Sequence, residues 1–245
     1  MSRYLSYEQM VQICEKINEK FIPDGEAFFE QVEELFNIEE PVTFQQFMVM
    51  TLKGLLSVVD EEIEKIEQKA TIKPSCLKGC AHCCYFPIIV TQAEGKMLVD
   101  YIETLPEKAR EDMKAHLKDY FSSYEAKIKD VCSMPFEGDF KKTYIQKQLP
   151  CPFLDTNSNT CKAYEVRPIP CRTYLNYCDP IVCAENDVPK EPFSYEFFYA
   201  FYMQALNEVI QELVEEEEFP FHYPQDLVTY DYLPNLLKKY LHEIR

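Results

Sequence analysis

Glycine is scarce in this chain, with only five residues among 245, or about 2% against a usual share of ~7%. Folds that bind nucleotide phosphates need glycines where the backbone must approach the ligand closely or adopt a positive φ. The sequence contains no GxGxxG, no GxxxxGK[ST] and no GxGxG pattern. It therefore argues against Rossmann, Walker-type and glycine-loop methyltransferase sites.

Basic runs and long apolar runs are also absent. The formal net charge is −17, from 25 Lys and Arg against 42 Asp and Glu, which predicts that neither nucleic acid nor an anionic membrane is a partner. No apolar run approaches the ~18 residues that a membrane span needs. The first 21 residues form an amphipathic pattern rather than a secretory signal. We therefore expect a cytoplasmic location, where thiols stay reduced.

Helical periodicity dominates the sequence on both sides of its centre. One helix is predicted after Pro41 with Thr43 as its N-cap, and the stretch "TQAE" at 91–94 predicts a capping box. Further helices are expected over 106–130, from a cap at Ser194 onward, and over 234–243, with "EEEE" at 215–218 as a solvated helix end. The aromatic stripe after Ser194 is interpreted as core.

The fold class that follows is mainly α. A helical shell is expected to surround an irregular cysteine-rich region that holds at most a short β-hairpin. The predicted divisions are an N-terminal helical segment over 1–72, a cysteine-cluster region over 73–185 and C-terminal helices over 186–245, all within one compact domain. The sequence does not indicate an oligomeric state.

Cysteine, unlike glycine, is plentiful, with eleven in the chain. An odd count without an export signal disfavours a disulfide framework. Nine of the cysteines lie in two groups, over 76–84 and 151–183, as expected for one site built from two chain segments. Cys14 and Cys132 are interpreted as small buried hydrophobic residues. The irregular loops need a cross-link, and in a reducing compartment a metal supplies it.

The first group, "CLKGCAHCC", has the spacing of a metal-binding turn. A two-residue gap lets Cys80 and Cys83 direct both thiolates to one metal, and Cys76 joins from the preceding turn. Adjacent cysteines point in different directions, so Cys84 is expected to bind a second iron, contact a cluster sulfur or lie beside the ligands. His82 is an alternative ligand.

The second group lies in "CPFLDTNSNTCKAYEVRPIPCRTY". Cys151 and Cys161 are expected across a hairpin whose turn is "DTNSNT", and Cys171 is expected to be held by the stretch over 168–170. Arg167 and Arg172 would offset the negative charge of several thiolates. Whether the two later cysteines add ligands or are simply buried thiols stays open at this point.

The seven candidate thiolates exceed the four that a mononuclear zinc site takes, so an iron–sulfur centre is favoured and zinc is the alternative. A labile thiol switch or metal carrier is a third interpretation. No Ser–His–Asp, HExxH or paired-carboxylate arrangement is present, so no catalytic residue is assigned. The predicted metal ligands are Cys76, Cys80, Cys83, Cys84, Cys151, Cys161 and Cys171.

The two patterns together, C-x3-C-x2-C-C followed by CPFL…C-x2-Y-x2-RP-x2-CR-x-Y, resemble the YkgJ-like cysteine-cluster family, whose domain is described as zinc- or iron-chelating. The matching residues are Cys76, Cys80, Cys83, Cys84, Cys151, Pro152, Phe153, Leu154, Cys161, Tyr164, Arg167, Pro168, Cys171, Arg172 and Tyr174.

The resemblance carries expectations about function. Distant relatives of this family are flagellin lysine N-methylases, whose chemistry is linked to an iron–sulfur cluster. As alternatives to simple metal binding, the resemblance therefore implies methylase-like or redox activity. It also implies S-adenosylmethionine as a cosubstrate and a protein as substrate or partner. Arg167, Arg172 and Tyr174 are expected to contact the cofactor without binding the metal.

Overall fold

The structure is a computed structural model that describes residues 4–35, 43–185, 188–190, 192–213 and 221–243. Within these residues the protein is mainly helical, as predicted. The α-helices are α1 Tyr7–Lys20, α2 Gly25–Glu34, α3 Phe44–Ala70, α4 Gln92–Thr104, α5 Glu107–Ser123, α6 Glu125–Val131, α7 Phe140–Gln146, α8 Ile169–Thr173, α9 Ile181–Glu185, α10 Phe197–Leu213, α11 Gln225–Val228 and α12 Leu233–Glu243. The strands are β1 Ile89–Thr91, β2 Leu154–Asp155, β3 Thr160–Cys161, β4 Tyr174–Leu175, β5 Phe193–Ser194 and β6 Tyr230–Tyr232.

The predicted caps of α3 and α4 are present. The Thr43 side chain accepts from the backbone N–H of Gln46, and the Gln46 side chain accepts from the backbone N–H of Thr43. Thr91 and Glu94 form the same reciprocal box at the start of α4. Each box satisfies backbone N–H groups that the first helical turn leaves without partners.

Two predicted helix boundaries are wrong. The helix expected over 106–130 is broken at Tyr124, which separates α5 from α6. Ser194 does not cap α10, because it lies in β5 opposite Tyr174 and the helix begins at Phe197. The proposed solvated helix end at 215–218 lies outside the described residues.

The strands are more numerous than the single hairpin that was predicted. β2 and β3 form that hairpin, while β1 pairs with β6 and β4 pairs with β5, both antiparallel. The β1–β6 pair joins residues about 140 positions apart, with Ile89 opposite Tyr232. Such pairing depends on the tertiary fold rather than on local pattern.

The main core lies where α3, α4, α10 and α12 pack together. The aromatic stripe of α10 contributes to it, since Phe198 and Tyr202 are fully buried. A second, smaller core contains Tyr120 of α5, Tyr144 of α7 and Tyr232 of β6. The cysteine segments lie against these helices, which supply the rigid support that the irregular loops lack. No helix among the described residues is both long enough and apolar enough to cross a membrane.

Candidate metal centre

The first cysteine segment folds as a turn followed by one short 3₁₀ helix, His82–Tyr85. The N–H of Cys80 donates to the carbonyl of Leu77 at 2.9 Å, which closes the turn between Cys76 and Cys80. Gly79 completes this turn with φ of 93°, a conformation that side chains with a Cβ disfavour. The turn therefore brings the first two cysteines of the segment close together.

The second segment contains the predicted hairpin. Leu154 is paired with Cys161 across β2 and β3. The Asp155 carboxylate accepts from the backbone N–H groups of Asn157 and Ser158, at 3.0 and 3.4 Å, and so organises the turn. Cys171 lies in α8, where its N–H donates to the carbonyl of Pro168 at 2.9 Å.

Backbone hydrogen bonds join the two segments. The N–H of Cys151 donates to the carbonyl of Cys84 at 2.7 Å. At the other end, the N–H of Ser75 donates to the carbonyl of Asn176 at 2.7 Å. The N–H of Asn176 in turn approaches the Cys76 sulfur at 3.4 Å. The fold thus brings the two distant cysteine groups to one place.

Burial and neighbouring thiols raise the pKa of five of the predicted ligand thiols. Burial raises the pKa of Cys151 well above its ordinary value, and the Cys171 and Cys161 thiols raise it further. Burial and the Cys83 thiol raise the pKa of Cys171 to about 12. For Cys83, the contact with the Cys84 thiol is the largest cause of its raised pKa, followed by burial.

Cys76 and Cys161 complete this group. Burial raises the pKa of both thiols, and the Cys83 thiol adds to the increase in each. Cys80 enters through its effect on Cys76. All seven predicted ligands therefore lie in one neighbourhood, and repulsion between their thiolates favours the neutral form when no cation is bound.

Arg167 is a cation that acts on several thiols of this group. Its positive charge lowers the pKa of Cys76, Cys83, Cys161 and Cys171 against the larger effects that raise them. Its guanidinium stacks on the Tyr164 ring, with the central carbon 3.9 Å from the ring centroid.

The Arg167 Nε is buried without a hydrogen-bond partner. An N–H in this position can donate to a sulfur or to another anionic acceptor at the site.

Arg172 contacts protein rather than the centre of the site. Its Nε donates to the carbonyl of Arg167 at 2.8 Å, and its terminal nitrogens bind Asp60 and the carbonyl of Glu165. It therefore fixes the loop that carries Arg167. Tyr174 lies in β4 and packs edge-to-face against Phe86, with ring centroids 5.4 Å apart.

Four further cysteines were not predicted as ligands. Cys132 is buried in the smaller core, and Cys14 is half-buried against the main core, in agreement with their interpretation as apolar packing residues. Cys178 is buried. Cys183, on α9, lines a cavity of about 150 Å³ that also contacts His82 of the 3₁₀ helix.

Among the described residues, no three or more Cys, His, Asp or Glu side chains are already placed so that they could hold one metal ion. The donors nevertheless fit such a group in identity and in charge. Several thiols converge in a region supplied with two arginines, and the buried Nε of Arg167 points to a missing anionic acceptor. Closure onto a metal would require the thiols to lose their protons.

Two residues of α5 contact the second segment, although the sequence assigned them no role. His116 and Tyr120 bind the backbone carbonyls of Pro152 and Pro150. Their spacing of four residues places them on one helix face. The pattern alone could not reveal the contact, because its acceptors are backbone atoms.

The comparisons with known proteins agree with the geometry of the site. Residues 75–192 match a family model, CxxCxxCC, described as "Putative zinc- or iron-chelating domain". No curated protein and no solved structure matches the chain. The matched region contains all seven predicted ligands and extends beyond them to Cys178 and Cys183. Over residues 75–192 this chain is therefore similar to the family that the CxxCxxCC model describes.

Proposed function

We propose that this protein binds an iron–sulfur centre through thiolates of both cysteine segments. The observation that carries the proposal is the hydrogen bond from Cys151 to Cys84, which joins the segments where their thiols gather. The direct ligands would come from Cys76, Cys80, Cys83, Cys84, Cys151, Cys161 and Cys171.

The number of thiols supports iron–sulfur over zinc. A structural zinc site takes four ligands, whereas seven thiols gather here. An iron–sulfur cluster carries electrons at a potential that hydrogen bonds to its sulfurs and the surrounding charge adjust. Arg167 would serve this purpose, because its charge acts on four of the thiols and its buried Nε has no protein acceptor. Zinc bound by four of the thiols is the alternative.

Two large apolar side chains near the cysteines are exposed to solvent. Leu77 and Tyr164 are 65% and 61% exposed beside the cysteines, and exposed apolar side chains at a site favour contact with another protein. A protein partner is therefore part of the proposal. No observation among the described residues favours methyl transfer over electron transfer.

Anaerobic purification followed by iron, zinc and acid-labile sulfide analysis tests the proposal. We expect iron and sulfide together, with the visible absorption of a thiolate-bound cluster. Stoichiometric zinc without sulfide would overturn the iron–sulfur centre and leave a zinc-chelating domain. Protein that takes up neither metal under reducing conditions would overturn metal binding itself.

A further inference from the structure

We propose that His116 and Tyr120 form a clamp on α5 that positions Cys151 in the metal centre. The inference rests on the proposed function, since it concerns a ligand of that centre. Tyr120 donates its hydroxyl to the carbonyl of Pro150 at 2.8 Å. His116 places Nε2 at 2.9 Å from the carbonyl of Pro152. A carbonyl only accepts, so Nε2 carries the hydrogen.

The clamp holds Cys151 from both sides. The two prolines that flank this cysteine have no backbone N–H, so their carbonyls are the only polar backbone groups that neighbours can bind. Both prolines are buried. Each clamp hydrogen bond therefore satisfies a carbonyl that water does not reach freely, and the loss of either would leave a buried acceptor unpaired.

The backbone of Cys151 itself is fully engaged. Its N–H donates to Cys84 at 2.7 Å, and its carbonyl accepts from the N–H of Leu154 at 3.0 Å. With the clamp, every backbone polar group from residue 150 to residue 152 has a protein partner. The direction of the Cys151 side chain is thereby tied both to the first cysteine segment and to α5.

Orientation of a ligand matters to metal affinity. Partners that hold a metal ligand in place typically change affinity by about 10- to 100-fold when they are removed. Here the clamp belongs to a helix that contains no cysteine. The metal centre therefore depends on residues outside the two cysteine segments, and α5 is part of the binding site.

Variants of His116 separate positioning from simple packing. The amide of Gln reaches the position of Nε2 and retains a donor, whereas the shorter Asn does not. His116→Gln and His116→Asn have similar polarity at a half-buried site, so both variants should fold. Tyr120→Phe removes the second donor. Tyr144→Phe is the matched control, because it removes a buried tyrosine hydroxyl from the same small core.

The measurement uses Co²⁺ as the probe in the full-length reduced protein. Thiolate-to-cobalt absorption reports the ligand geometry, and excess EDTA gives the rate of metal release. We expect His116→Asn and Tyr120→Phe to release Co²⁺ roughly 10-fold faster than wild type and to shift the absorption band. His116→Gln should restore both, and Tyr144→Phe should behave as wild type.

Equal release rates and identical spectra for His116→Asn and His116→Gln would overturn the clamp, whatever Tyr120→Phe does. A wild-type protein that binds neither Co²⁺ nor, on anaerobic reconstitution, iron with sulfide would overturn the proposed metal centre and the clamp with it. The two failures are distinguishable, because the first occurs with a wild-type protein that binds the metal and the second does not.

Discussion

At the residue scale, Arg167 and Arg172 look alike in the sequence but differ in the structure. Arg172 is 5% exposed, and its N–H groups donate to protein acceptors that include the carbonyl of Arg167. Arg167 retains a buried Nε without a partner and acts on the thiols. Arg172 thus supports the loop and lowers the pKa of Cys161 and Cys171, whereas Arg167 acts on four thiols and keeps a buried donor without a partner. The spacing of the two arginines alone could not separate these roles.

The thiol pKa values predict how the metal-free protein responds to pH. Folding raises the pKa values of Cys151 and Cys83 well above the usual value for a thiol. It raises the pKa of Cys171 to about 12. The unfolded chain loses these protons near about pH 8.5. Above that pH the unfolded state binds fewer protons than the folded state, so the free energy of unfolding must fall as pH rises toward 12.

Denaturant unfolding at pH 7.5, 8.5 and 9.5, with reductant and chelator present, measures this effect. We expect constant stability below about pH 8 and a loss of roughly 1 kcal/mol per buried thiol by pH 9.5. Buried tyrosines such as Tyr120 and Tyr177, whose pKa is also raised by burial, add a smaller fall per residue near pH 9.5, because tyrosines ionise near pH 10 in the unfolded chain. Stability that is unchanged or rises across the range would contradict the buried neutral thiols.

Metal affinity should rise with pH, because binding displaces thiol protons, whereas the stability of the metal-free protein falls.

At the scale of the elements, α4 and α12 approach closely at Gly95. A Cβ at this position would lie 3.0 Å from the Cβ of Leu236, closer than packed carbon atoms allow without a shift. Gly25, at the start of α2, has Phe201 as its nearest neighbour at 3.7 Å, which is an ordinary contact. Gly95 is therefore needed for the close approach of α4 and α12, whereas Gly25 is not needed to avoid a clash.

Gly95→Ala is predicted to lower the free energy of unfolding by roughly 1–2 kcal/mol, because overpacking exceeds the gain of about 1 kcal/mol in helix propensity. Gly25→Ala is the matched control and should be neutral or slightly stabilising. Thermal melts of both variants, monitored by circular dichroism, make the comparison. A Gly95→Ala protein as stable as the control would show that α12 can move away without cost.

The sequence predicts local features of these elements better than distant ones. The boxes at Thr43 and Thr91 depend on residues three positions apart, and the β2–β3 hairpin depends on its own turn. The start of α10 was misplaced because Ser194 pairs with Tyr174, twenty positions away. His116 was missed for the same reason, since its acceptor is a backbone carbonyl 36 residues along the chain.

At the scale of the whole molecule, the cysteine segments and the helices depend on each other. The cysteine segments contain few apolar residues of their own, and α3, α5 and α10 supply the surfaces on which they lie. Cys151, Cys161 and Cys171 all pack against the main core. A metal that joins the two segments would therefore also join the helices before and after them, and its binding free energy would add to the stability of the fold.

The spacing of the cysteines correctly predicted that the two groups meet, because each pattern has the form of a metal-binding turn or hairpin. The spacing could not predict the hydrogen bonds through which they meet, from Cys151 to Cys84 and from Asn176 to Cys76. Their donors are backbone N–H groups, which nearly every residue has, so the sequence does not identify them. The ligand set stays a prediction. The division into segments at 72 and 185 also stays a prediction.

The most direct test of one centre built from two segments is the metal content per chain of three matched variants. Cys80→Ser changes the first segment, Cys171→Ser changes the second, and Cys14→Ser changes a cysteine that packs against the main core away from the group. We predict that the first two variants each lose nearly all bound metal, while Cys14→Ser retains the wild-type amount. Loss of only half the metal in each, or full retention in either, would contradict a shared centre.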